Sequence, residues 1–316
     1  MRLRLILLTT LLGISAGLLG VFVSPARDLV FNREGQEKFR RQSELLGGRA
    51  FLLPLTQTNY LPVRDFNVPE SVLNAKAAAL FDVQSGRFLY SKNVNQRLPI
   101  ASITKLMSAI VVLENLNLNN TFVVHPEDIN VDGRGADFYK NEQLRGSDLF
   151  RIMLINSSND AALAFATAAR ALGVDFVAKM NEKAQALGMF NTRFADPAGL
   201  NDQETFSTVL DLVKLVRCAS EYNLILQALI TRSATVASVD VGAAHNLVNT
   251  NRLFGQIPGV ILGKTGYTDD ALGTMVLEIG IGNGRDAIIG VVLGTRDRFL
   301  ETEKLIQWGK TAHRWE

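Results

Sequence analysis

The order of apolar and polar positions divides the chain into stretches of different texture. Residues 5–23 are uncharged and mostly apolar, behind the basic start Met1-Arg2-Leu3-Arg4. That length suits a transmembrane helix and exceeds the apolar part of most cleaved leaders, although Ser24 and Ala26 stand where cleavage is chemically permitted. Residues 27–50 are polar and charged, with Gly47-Gly48 near their end. Residues 51–69 are punctuated by Pro54, Pro62 and Pro69, the texture of a spacer. Residues 77–83 and 87–90 then flank Gln84-Ser85-Gly86, a strand–turn–strand signature. A helical middle follows at 103–116, 147–155, 160–172, 175–187 and 208–220. The first of these is apolar on most faces, which predicts burial rather than a surface position. Strands return at 234–241, 260–264, 273–281 and 287–293, and 298–314 reads as a closing helix. Strands at both ends with helices between them predict one α+β domain over 71–316, its sheet joining N- and C-terminal segments. Ahead of it stand an anchor or leader at 1–26 and a spacer at 27–70.

Composition narrows the function classes. The 316 residues are 47% hydrophobic and 20% charged, enough for an ordinary packed core. A formal charge of +2 without a dense basic run argues against a nucleic-acid partner. Cys218 is the single cysteine, so neither an internal disulfide nor a cysteine metal cluster forms; it reads as a small core residue. His125, His245 and His313 lie far apart, so no metal and no cofactor is expected. Arg27, Arg33, Lys38, Arg40 and Arg41 follow the apolar stretch, against Arg2 and Arg4 before it. Counted literally, those flanks would keep the body in the cytoplasm. The chemistry below requires an exported domain and overrules that count.

Ser102-Ile103-Thr104-Lys105 opens the buried helix. Residues three apart share a helix face, which sets the Lys105 amine beside the Ser102 hydroxyl. A serine is a weak nucleophile until a base takes its proton, and desolvation lowers an amine's pKa enough for it to be that base. The plain alternative is a capping serine with a solvated lysine. Ser157-Ser158-Asn159 lies between two helices, where a hydroxyl can relay a proton and an amide can orient lysine and substrate. Alone it also reads as a helix cap. Lys264-Thr265-Gly266 closes a strand, with Lys264 bordering the cleft. Its cation and hydroxyl suit a substrate carboxylate, and its glycine permits close approach to the backbone. Asp269-Asp270 after it reads as a solvated turn.

The order of these motifs resembles that of penicillin-binding proteins and serine β-lactamases. The surrounding text is similar to the low-molecular-mass penicillin-binding proteins, the serine D-alanyl-D-alanine carboxypeptidase and endopeptidase family. It does so at Pro99 to Met107, Asp148 to Ala162, Phe194 to Leu200, and Asn249 to Leu253 followed by Gly263 to Thr268. The resemblance implies a five-stranded antiparallel sheet with a helical subdomain and the active site between them. It implies that Ser102 attacks the D-alanyl carbonyl with Lys105 as base, Ser157 as relay and Asn159 as positioner. Lys264, Thr265 and Gly266 would bind the substrate, and the amides of Ser102 and Tyr267 would form the oxyanion hole. It further implies peptidoglycan D-alanyl peptides as substrates, β-lactams as covalent inhibitors, and an extracytoplasmic place in the bacterial envelope, held to the membrane by the N-terminus. Two departures stand out. Ser158 occupies a position where glycine is common, which would narrow the cleft. Asp196 and Ala198 replace amide or bulkier residues in a loop with no catalytic role. Two rivals stay open: a β-lactamase, although the Glu-x-x-Leu-Asn loop of class A enzymes is missing, and a non-catalytic peptidoglycan-binding protein.

Overall fold

The computed structural model describes residues 61–129, 136–282 and 286–315. The anchor or leader expected at 1–26, and the spacer as far as residue 60, lie outside them. In chain order the elements are β1 (Val63–Arg64), β2 (Ala77–Asp82), β3 (Arg87–Lys92), α1 (Thr104–Asn115), β4 (Thr121–Val124), β5 (Glu142–Arg145), α2 (Gly146–Ile155), α3 (Asn159–Ala171), α4 (Phe176–Ala186), α5 (Val209–Ala219), α6 (Asn223–Leu229), β6 (Ser233–Ala237), β7 (Ala244–Val248), β8 (Val260–Thr268), β9 (Leu272–Ile281), β10 (Asp286–Thr295), α7 (Arg298–Ala312) and β11 (His313–Arg314).

Five strands form one antiparallel sheet in the order β3-β2-β10-β9-β8. Strand β10 pairs with β2, Ile288 opposite Asp82 and Leu293 opposite Ala77, so the two ends of the domain meet in the middle of the sheet. Every residue of β2 is buried. Helices pack on both faces: Leu80 joins the core with Leu305, Ile306 and Trp308 of α7, while Phe81 lies beneath Arg217 of α5. A strand covered on both sides reads as a continuous apolar run rather than an alternating one. Helix α1 is buried from Thr104 through Val112, as its apolar character on most faces predicts, and packs against α2, α3, α4 and α5. Cys218 is buried on α5, where desolvation pushes its thiol up to about 11.

The differences from the sequence reading are local. Strand β8 does not stop at Lys264 but runs on to Thr268, because β9 continues the pairing to Leu272. Part of the spacer is structural: Val63 pairs with Arg314, and Trp308 Nε1 donates to the Pro69 carbonyl at 2.8 Å. The closing helix ends at Ala312, and the two residues beyond it extend to meet β1. Strands β4, β5 and β7 and helix α6 were not anticipated. Each is four to seven residues long, too short for a clear period. The strand expected over 234–241 ends at Ala237 and forms a hairpin with β7. Asp269 and Asp270 are exposed in the β8–β9 turn, as expected.

Candidate active site

Ser102 sits in a single 3-10 turn, Ala101–Ile103, immediately before α1. Ala101 has φ 46°, a left-handed conformation that is strained for a residue with a side chain. One helical turn later Lys105 is fully buried, and its Nζ donates to Ser102 Oγ at 2.8 Å. The plain alternative fails on both counts. Ser102 caps nothing, and the lysine is not solvated. Lys105 Nζ also donates to Asn159 Oδ1 at 2.6 Å and to the Ala198 carbonyl at 3.0 Å. Burial lowers its pKa from 10.5 to about 7, against the opposing pull of the Asp196 and Asp160 carboxylates.

The second motif divides its labour. Ser158 is the N-cap of α3, accepting from the Ala161 amide at 3.2 Å, and it is wholly buried. It therefore caps a helix and does not narrow the cleft. Ser157, at φ 59°, is released from capping, and its Oγ receives Lys264 Nζ at 2.7 Å. Capping and a second hydroxyl in the site thus coexist on neighbouring serines.

Lys264 and Thr265 lie within β8, not at its end, and Lys264 is 1% exposed. The expectation that Lys264 borders the open cleft is corrected: its side chain is buried against the second motif. Its Nζ donates to Ser157 Oγ and to the Thr265 carbonyl at 2.9 Å. Thr265 Oγ1 donates to Thr250 Oγ1 at 2.8 Å. Gly266 answers a packing demand. A Cβ there would lie 2.5 Å from Thr274 Oγ1, 2.9 Å from the Ile100 carbonyl oxygen and 2.9 Å from the Ser102 nitrogen. The glycine lets β8 press against the turn that carries Ser102. Tyr267 follows with its side chain 56% exposed.

The expectation that the 196–201 loop has no part in the chemistry is countered by a direct main-chain contact with Lys105. The Asp196 carboxylate gathers the backbone N–H groups of Ala198, Gly199, Leu200 and Asn201 at 2.6–3.1 Å. This curls the loop so that the Ala198 carbonyl meets Lys105. Gly199, at φ +79°, packs so closely that a Cβ would lie 2.0 Å from the Ala101 oxygen. Side-chain chemistry could not signal this role, because the group that touches the lysine is a main-chain carbonyl. Among the described residues no group of three or more His, Cys, Asp or Glu is placed to hold a metal ion.

The pattern that describes the D-alanyl-D-alanine carboxypeptidase family matches residues 65–297. The chain is 30% identical over 242 residues to the D-alanyl-D-alanine carboxypeptidase DacF of Bacillus subtilis, an alignment covering 74% of this chain and 61% of that one. It is 34% identical over 246 residues to the D-alanyl-D-alanine endopeptidase of Pseudomonas aeruginosa, covering 76% of this chain and 78% of the relative. A solved penicillin-binding protein homolog from Mycobacterium tuberculosis matches with a TM-score of 0.71 at 29% identity, covering 78% of this chain and 95% of that one.

Proposed function

The chain belongs to the D-alanyl-D-alanine carboxypeptidase family, and on that premise we propose that it is a serine hydrolase cleaving D-alanyl-D-alanine bonds of peptidoglycan stem peptides through an acyl-enzyme. The set of acceptors around Lys105 carries this proposal. Two of them, Asn159 Oδ1 and the Ala198 carbonyl oxygen, have no proton to give and hold two N–H bonds of the amine. The third partner is Ser102 Oγ, a hydroxyl. When Lys105 is neutral, its lone pair is therefore left facing Ser102, the one partner able to donate a proton. A pKa of about 7 keeps a large fraction of the amine neutral at physiological pH.

In the proposed sequence, Ser102 Oγ attacks the carbonyl carbon of the penultimate D-alanine while its proton passes to Lys105 Nζ. The oxyanion is held by the amides of Ser102 and Tyr267. The Ser157 hydroxyl gives its proton to the departing nitrogen and is restored by the proton that Lys105 took from Ser102, the C–N bond breaks, and an ester on Ser102 remains for water to hydrolyse. Lys264 and Thr265 receive the terminal carboxylate, Lys264 also holding Ser157. The β-lactamase alternative loses support at Asp196. Both oxygens of that carboxylate are taken up by main-chain N–H groups, so it is not free to activate a deacylating water.

A fluorescent penicillin should label the protein covalently, and Ser102→Ala should abolish the label with the fold intact. Purified enzyme should release D-alanine from a pentapeptide or cut a crosslinked muropeptide. Full labelling of Ser102→Ala, or absence of both activities, would refute the proposal. We further propose that the domain lies outside the cytoplasmic membrane, held by residues 5–23. Among the described residues no single helix is long and apolar enough to cross a membrane. Protease added to intact spheroplasts should digest the body of the protein; full protection would reverse the orientation.

A further inference from the structure

The 196–201 loop touches the site through its main chain, and what shapes that loop is one side chain. Asp196 Oδ1 accepts from Ala198 N at 2.8 Å, Gly199 N at 2.6 Å and Leu200 N at 3.1 Å, while Oδ2 accepts from Leu200 N at 3.0 Å and Asn201 N at 2.9 Å. The loop is fastened to α1 as well, where Ser108 Oγ donates to the Pro197 carbonyl at 2.6 Å. Its next carbonyl, that of Ala198, accepts from Lys105 Nζ at 3.0 Å. We propose that Asp196 is a positioning residue for the base. Its carboxylate fixes the carbonyl that aims the Lys105 amine at Ser102, and supplies negative charge that keeps this buried amine basic enough to take the serine proton. The proposal rests on Lys105 being the base.

The charged groups that act on the amine are Asp196 in the loop and Asp160 at the start of α3; the site's other buried cation, Lys264 on β8, is bonded to Ser157. Burial is the dominant influence on Lys105 and disfavours its protonation; Asp196 is the first of the two carboxylates that oppose it. Asp160 is differently employed. It accepts from the Ala136 amide at 3.3 Å and has one oxygen without a hydrogen-bond partner. Asp196 alone combines the charge with the placement of an acceptor. A loop residue serving only as scaffold would alter how fast Ser102 is acylated. A residue that also sets the amine's basicity must move the pH at which acylation switches on.

The test is the rate of covalent labelling by a fluorescent penicillin between pH 5 and 9, in the wild type, Asp196→Asn and Asp196→Glu. The wild type should rise to a plateau with a midpoint near 7. Asp196→Asn keeps one acceptor oxygen but no charge. Its midpoint should fall by about one pH unit, as for loss of a nearby opposite charge, and its plateau by roughly tenfold as the base weakens. Asp196→Glu restores the charge and should keep its midpoint within about 0.3 units of wild type even if the loop shifts and the rate drops. An Asp196→Asn midpoint equal to wild type, at whatever plateau, overturns the proposal while leaving Lys105 as base. If thermal denaturation shows that Asp196→Asn does not fold, Asp196→Glu decides, and a midpoint displaced by a full unit there overturns it equally. A wild type that takes no label, or that shows no acid limb, defeats the underlying assignment of Ser102 and Lys105 instead.

Discussion

The Lys105 amine has an environment that a lysine tolerates only under constraint. Its pKa of about 7 against 10.5 in an open chain has consequences for rate and for stability. For rate, the neutral fraction grows with pH through about 7, so acylation should do the same, and Lys105→Ala should slow it by at least ~100-fold, the low end for losing a positioned base. For stability, the folded-state pKa is depressed, so the unfolded chain binds more protons between about 7 and 10.5. Stability should therefore rise with pH across that window, by on the order of a few kcal/mol from this group. Below pH 7 the cost of the buried ammonium is fully present. Thermal denaturation of wild type and Lys105→Met from pH 6 to 10 tests the sign: the wild type should gain on the variant as pH rises. Lys264 behaves differently. Because it is buried and holds Ser157, Lys264→Ala should impair turnover of amidated and carboxylate-bearing donors alike, with the greater loss on the carboxylates. Equal loss on both would remove Lys264 from carboxylate recognition and leave it only the partner of Ser157.

At the scale of elements, the site is assembled where helices begin and strands press close. Ser158 ends the preceding turn and caps α3, so Ser158→Ala should destabilise the fold by about 1 kcal/mol while penicillin labelling persists. A narrowed cleft would instead predict that Ser158→Ala quickens labelling without touching stability. Gly266 is the opposite case. It has no chemistry of its own, yet a methyl group there meets the Ser102 nitrogen and the Ile100 carbonyl oxygen, both main-chain atoms that cannot swing away. Gly266→Ala should therefore push β8 off the nucleophile turn and reduce labelling by at least ~100-fold, the scale of losing positioned oxyanion donors. Near-normal labelling of that variant would mean that the turn and strand separate freely.

For the domain as a whole, the sheet closes by pairing β2 with β10, and the short strands β1 and β11 pair next to α7. Trp308 lies at that closure, edge-on to Tyr90 and His313, beneath Arg64, and bonded to Pro69. Trp308→Ala should cost roughly 3–5 kcal/mol, the usual scale for emptying a large aromatic site. Labelling of the protein that remains folded should be unchanged, because this cluster packs on the α7 face of the sheet and the catalytic groups lie between β8 and the helices. A variant that labels slowly while fully folded would show that the closure is coupled to the site.

The amino-acid sequence alone settled those properties that depend on neighbours along the chain. The buried helix after Ser102 was legible because its apolar residues cover most faces, and the Ser102–Lys105 pairing because one helical turn brings residues three apart together. The long strands and helices and the order of the motifs were equally plain, each being written in a local period or spacing. What only the tertiary structure decided are meetings between distant segments. Nothing in 196–201 announces that its main chain reaches Lys105, since a carbonyl carries no side-chain signature. The same holds for Thr250 beside Thr265 and for the burial of Lys264, whose amine meets Ser157 from 107 positions away. The short strands and α6 escaped notice for a related reason: four to seven residues hold too few repeats to show a period, and packing rather than propensity keeps them ordered. Lys105 shows both contributions at once. The sequence placed it beside the serine, and the fold, by burying it and surrounding it with acceptors from two remote segments, gave it the lowered pKa that the proposed base requires.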